Sequence, residues 1–405
     1  MSENRTSSIA SLLALFIVLG ASVPWAFCAE LAAVPGPEGP TRYARTLTID
    51  SRGRLWASFM NEQGLDTWGI ACLETASPTL VSAAMLSVGR VFALRALENG
   101  SVAAATDKGL RVLAPDGRFE SIGKQEPLSL LAGTACGAVL AAGTGEDRAL
   151  VLVRFTPGRP SERWRLPAKG AGGFREPLRM FELPDGRVMI VFATDVVMLD
   201  GGKLRRLAWE KTPLASPAKS RSSERRVPPV WIYDAAMTPD GSVFFVGFCK
   251  KLVRWRAGRF DVLAEGHFQD LAADPASETV WVTDFAGALR TWNGKTLETA
   301  YRLPDGEIRN IWPAASDALW LECAPASGPH RLERLSPGSA DPDAVSLEFR
   351  PGLLSPGVLS LVQAADGAAL IATNEGLWRI FSRKQTTEAN PGPAIVLPER
   401  SLKRE

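Results

Sequence analysis

Residues 359–379 read LSLVQAADGAALIATNEGLWR, and the fold follows from this stretch. An apolar segment runs into the tight turn Asp366-Gly367, a second apolar segment follows, a short polar loop (Thr373 to Gly376) intervenes, and Leu377-Trp378 opens a third. Asp-Gly and Asn-Gly turns supply the positive backbone angles that two-residue β-hairpins need. The pattern recurs over residues 47–60, 91–113, 128–155, 178–199, 233–255, 268–292, 308–332 and 358–381, which makes eight copies. Their turn positions are Gly53, Gly100, Gly137, Gly186, Gly241, Glu278, Asp317 and Gly367, separated by 37 to 55 residues. A mean spacing near 45 residues fits about four short strands per unit, the size of one propeller blade.

A large apolar residue often stands three places beyond the turn: Trp56, Met189, Phe244, Trp281, Trp320 and Leu370. On a strand this puts a bulky side chain on one face, where stacked sheets bury it. Fourth strands are expected around 118–122, 204–209, 259–263 and 345–349. No amphipathic helical stretch competes. The expectation is an all-β chain forming a single β-propeller of eight four-stranded blades, with seven as the alternative. It spans residues 44–399 and is followed by a tail at 400–405. An apolar run at 394–397 is placed to supply the outer strand of the last blade.

The quoted string, with Leu47 to Trp56 and Thr106 to Leu110, resembles the propeller repeat of two-component-regulator sensors, in which Asp-Gly, Leu-Trp and Thr-x-x-Gly-Leu punctuate each copy. It is also similar to streptogramin-lyase-like and lactonase-like propellers. The resemblance implies a fold shared by many functions. Because no membrane span or kinase region follows residue 385, the sensor likeness implies an ectodomain type standing alone.

The chain has 405 residues, 46% hydrophobic and 22% charged, which suits a folded protein with a sizeable core. Forty-six Lys and Arg against 44 Asp and Glu leave a net charge of +2. That gives no global field to draw nucleic acid. Residues 1–29 read as a signal peptide, with Arg5 before an apolar run and Pro24 before small residues. The run is shorter than a membrane span. The expected address is periplasmic or secreted, with lipid attachment at Cys28 as an alternative and residues 30–43 as a linker. Cys72, Cys136, Cys249 and Cys323 fall in alternate units, too far apart for disulfides, and read as small buried hydrophobes.

An insertion at residues 208–231 breaks the period. From Lys203 to Arg226 eight basic residues face two acidic ones, which suits a solvated loop or a docking element for an anionic partner. No catalytic motif stands out. The two histidines, His267 and His330, lack metal-ligand spacing, and no Gly-x-Ser-x-Gly elbow exists. Gly294-Lys295-Thr296 reads as a hairpin turn.

Propellers commonly bind at one mouth of the central channel. The candidates there are Arg90, Glu126, Glu176, His267, Glu307 and Arg309 at inner-strand starts, joined by Trp231 and Tyr233. Loop acids Asp107, Asp147, Asp195, Asp284 and Glu375 read chiefly as turn caps. No cofactor is expected unless the inner acids converge on Ca²⁺. The expected function is a non-catalytic binding or scaffold module for a protein or cell-envelope polymer. The alternatives are a metal-dependent hydrolase or lyase and a sensor ectodomain with a separate membrane partner.

Overall fold

A computed structural model describes residues 31–33, 43–60, 68–74, 80–84, 89–114, 118–168, 174–207, 212–214, 231–314, 318–327, 330–335, 343–346, 358–364, 367–373 and 376–380. The regular elements among them are all β-strands, and they form eight antiparallel four-stranded sheets. Blades 1 to 7 occupy residues 43–84, 91–122, 130–166, 177–206, 232–265, 268–302 and 307–346, each in simple meander order. Blade 8 holds residues 358–380 and one further strand from elsewhere. The protein is an eight-bladed β-propeller.

Burial explains why the apolar segments alternate less than a half-buried strand would. The second strands Val102–Thr106, Val188–Phe192, Val243–Gly247, Val280–Asp284 and Ala369–Thr373 are buried at every position. Each is covered on both faces by neighbouring blades, so both faces must be apolar or paired. Outer strands such as Lys203–Arg206 alternate between exposed and half-buried, as a solvent edge requires.

Eight separate apolar clusters fill the eight interfaces between adjacent blades. The bulky residues three places past the turns lie in them: Trp56 between blades 1 and 2, Trp281 between 6 and 7, and Trp320 between 7 and 8. One cluster joins Leu47, Leu55 and Phe59 of blade 1 to Leu370 and Leu377 of blade 8 and so closes the ring.

The closing strand differs from the expectation. Leu31–Ala33, assigned to a linker from sequence, forms the outer strand of blade 8 by pairing with Gly376–Ile380. The 394–397 run lies outside the described residues. The third strand of blade 8 still needs an antiparallel neighbour, and the chain preceding blade 1 supplies it.

The inner hairpin turns adopt the anticipated geometry, with φ between 75° and 82° at Gly53, Gly100, Gly137, Gly186, Gly241 and Gly367. In four of these turns an Asp or Asn side chain accepts the amide two residues on: Asp50 from Arg52, Asn99 from Ser101, Asp185 from Arg187 and Asp240 from Ser242. Glu278 instead ends a longer turn held by Asp274. Asp317 lies outside the described residues. Gly294-Lys295-Thr296 is indeed a turn, in which Asn293 accepts the amides of Lys295 and Thr296.

Gly241 also touches the turn of blade 4, where an added Cβ would sit 2.5 Å from Cδ of Pro184. Gly186 has the same backbone but open space. Gly241→Ala is expected to cost about 2 to 4 kcal/mol in urea denaturation, against about 1 to 2 for Gly186→Ala. The difference reads the contact between blades.

Among the described residues four cysteines are free. Cys72, Cys249 and Cys323 are buried as anticipated, but Cys136 is exposed, because it stands in the inner hairpin turn of blade 3 rather than on a strand.

Candidate functional site

The face of the ring that carries the starts of the inner strands is called here the upper face. Near these starts, seven of the eight inner hairpins carry a register shift. Phe92, Leu178, Tyr233, Gln269, Arg309 and Leu359 are the extra residues at six of them, and Arg45 with Thr46 makes the seventh. A bulge re-aims side chains and raises the local twist. Repeated around the ring, it collects unlike side chains at the upper mouth.

On one side of the mouth the charge is positive. The guanidiniums of Arg45 and Arg90 both lie over the ring of Phe92, at 5.5 and 5.1 Å from its centroid. Burial, then the neighbouring charge of Arg90, lowers the pKa of Arg45, while Glu176 opposes the shift. Arg45 belongs to blade 1 and Glu176 precedes blade 4, so their interaction crosses the mouth. Two arginines placed over one aromatic ring give this side of the mouth a positive charge suited to an anionic or π-rich group.

On the other side the residue after the bulge ties blade to blade. Asp234 in blade 5 accepts the Leu271 amide of blade 6 at 3.2 Å, and Asp270 in blade 6 accepts the Ile311 amide of blade 7 at 3.0 Å. Ser360 of blade 8 does the same for Leu47 of blade 1. Arg179 of blade 4 pairs with Asp234 at 2.9 Å. Burial, and then the adjacent Asp234, pushes Asp270 up to about 9, so this carboxyl stays protonated and hydrogen-bonds Asp234.

Above these groups stands an aromatic rim. Tyr233 meets Phe285 edge-on with centroids 6.0 Å apart, and Phe285 is 51% exposed. Phe248, on the equivalent link of blade 5, is 43% exposed, and its amide donates to the Trp231 carbonyl. Arg175 covers the Trp231 ring at 5.6 Å. The His267 carbonyl accepts the Phe285 amide, and the His267 side chain is exposed on the same rim.

The anticipated residues therefore divide. Arg90, Glu176, Trp231, Tyr233 and His267 lie at the upper mouth beside Arg45, Phe92, Phe248 and Phe285, which sequence reasoning missed. Glu126 is instead held by Arg163 and Arg165 on the outer strand of its own blade. Glu307 pairs with Arg309 at 2.7 Å. The three inner glutamates thus face arginines in three different surroundings, and they do not fit a shared Ca²⁺ site.

Among the described residues no three His, Cys, Asp or Glu side chains are grouped to hold a metal. The loop acids cap turns or pair locally: Asp107 accepts the Arg90 amide, Asp147 binds Arg165, Asp195 binds Arg206, and Asp284 accepts the Ala286 and Ala288 amides. Glu375 lies outside the described residues. Of the basic insertion, only residues 212–214 and 231 are described, and Leu214 is buried between blades 4 and 5.

No protein-family profile matches the chain, and no curated protein sequence does. Many solved structures resemble it. The computationally designed Ika8 protein matches with a TM-score of 0.58 at 15% identity, over 86% of this chain and 99% of that one. A streptogramin B lyase matches at 0.49 and 13% identity, over 87% of this chain and 97% of the lyase. The WD40 propeller domain of Doa1 matches at 0.46 and 10%, over 88% and 98%. At such identities the likeness is one of fold.

Proposed function

We propose that this chain is an exported binding propeller whose upper mouth engages a protein partner. The observation that carries the reading is the exposed aromatic rim of Phe248 and Phe285. It is backed by Tyr233 and Trp231 and lies across the mouth from the Arg45 and Arg90 seat. Exposed aromatic groups with arginines on the same surface are the composition of interface hot spots. The basic segment 208–230 leads directly into Trp231, so a partner with an acidic stretch suits both elements. Should that partner be a membrane protein, the chain would serve as a sensor ectodomain of the two-component-regulator type. The signal-like residues 1–29 support an address in the periplasm or outside the cell.

The test is affinity capture from periplasmic extract with three baits: the mature chain, the Phe248→Ser/Phe285→Ser variant, and a chain lacking residues 208–230. A specific partner is expected to bind the double variant about tenfold more weakly or worse, and to elute from the mature chain as salt rises. Equal recovery on the mature chain and the double variant overturns the reading.

A further inference from the structure

The lower face holds a separate feature. A cleft of about 670 Å³ opens at the lower mouth and spans blades 2 to 5. Its wall is apolar and deformable: Met180, Phe181, Leu183 and Met237 line it, with Pro184 on the rim. The volume falls in the range of ordinary small-ligand sites, and thioether side chains adapt to flexible occupants.

The charges in this cleft are unequal in one informative respect. Glu182 is already served, since it accepts the Ala135 amide at 2.7 Å and lies 3.6 Å from Arg154. Arg95 has no acidic partner and no hydrogen bond among the described residues. Its guanidinium rests on Gly133 so closely that a Cβ there would fall 2.2 Å from Nη2. The missing side chain at Gly133 therefore makes the seat for the cation. Arg95 is exposed at the cleft mouth, and desolvation of the part packed on the cleft wall lowers its pKa. A cation so placed, above an apolar wall, is complementary to a ligand with one anionic group on a hydrocarbon body.

We propose that the lower mouth is a binding site for a small amphipathic carboxylate, with Arg95 as its anion seat and Met180, Phe181 and Met237 as the apolar floor. The site is on the opposite face from the aromatic rim and does not depend on it. Cys136 also lines the cleft. Its thiol is exposed, and hydrogen bonds from the Thr134 side chain and the Ala138 amide lower its pKa. It therefore serves as a built-in reporter of occupancy.

The experiment titrates the mature chain with decanoate, decanol and decyltrimethylammonium below their micelle-forming concentrations, by calorimetry. In parallel it follows alkylation of Cys136 by iodoacetamide, read at the labelled peptide. Decanoate is expected to bind below about 1 mM, at least tenfold more tightly than decanol, and the ammonium least. Saturating decanoate is expected to slow Cys136 alkylation several-fold. Arg95→Gln should bring decanoate down to the affinity of decanol, with circular dichroism confirming the fold, and Arg95→Lys should restore part of the difference. Equal affinity for decanoate and decanol in the unmodified chain overturns the proposal. So does decanoate binding that leaves Cys136 alkylation unchanged, which would put the anion at the Arg45 and Arg90 seat instead. These readouts use the unmodified chain and so do not depend on the variants folding.

Discussion

Asp270→Asn is expected to make the propeller more stable, by an amount that grows with pH. Asp270 is half-buried beside Asp234, and desolvation with the neighbouring carboxylate pushes its pKa up to about 9. An unfolded chain releases that proton near the ordinary carboxylate value. Between these limits the folded state binds one more proton than the unfolded state, so unfolding becomes easier as pH rises, by up to about 1.4 kcal/mol per pH unit. Above about 9 both states are ionised and the slope from this group ends. Asparagine removes the titration but keeps the contacts: its carbonyl oxygen accepts the Ile311 amide, and its amide nitrogen donates to Asp234.

The stability difference between variant and parent should therefore be small at pH 4 and grow with pH to at most about 4 kcal/mol at neutral pH. Urea denaturation at a series of pH values measures it. Parallel profiles for the two chains would reject a protonated Asp270. Asp270→Ala is the contrasting case, because it strands the buried Ile311 amide and should cost about 1 to 3 kcal/mol at low pH.

How much of this arrangement was readable beforehand depends on whether a residue's role is local or collective. The blades were legible because Asp-Gly turns and apolar segments obey local rules, and Trp56, Trp281 and Trp320 all fall between blades as their spacing implied. The mouth was legible only in part. The bulged residues stand eight places before the turn glycine in five blades: Arg45 before Gly53, Phe92 before Gly100, Leu178 before Gly186, Tyr233 before Gly241 and Leu359 before Gly367. Counting back from each glycine would have gathered Arg45 and Phe92 with Tyr233. The following place holds Arg179, Asp234 and Asp270, whose pairing joins blades 4, 5 and 6 across some 90 residues of chain. Nothing local marks such a partnership, since it arises only when the ring closes. Glu126 shows the converse. Its place before an inner strand suggested the channel, yet Arg163 and Arg165 of its own outer strand claim it.

Ring closure itself yields the other large effect. The outer place in blade 8 is filled by Leu31–Ala33, with Leu31 opposite Ile380, Ala32 opposite Arg379 and Ala33 opposite Trp378. A chain starting at residue 35 loses these pairings and bares the edge of Gly376–Ile380. The apolar contact between blades 1 and 8 persists, so the ring should still form, but with a free strand edge at the seam. Losing the ladder is expected to cost about 2 to 4 kcal/mol, and the bare edge should favour association between copies. Comparing urea midpoints and light scattering for chains starting at residues 30 and 35 measures both. A synthetic peptide of residues 28–36 should restore stability to the shortened chain in a concentration-dependent way, because it binds the folded state alone. The competing closure by residues 394–397 makes the opposite forecast: truncation at 384 would then destabilise, and starting at 35 would not. The seam is also where the first and last described strands meet. A partner that inserted a strand there would gain backbone hydrogen bonds only by displacing Leu31–Ala33, so an intact closing strand protects the propeller against edge-to-edge assembly.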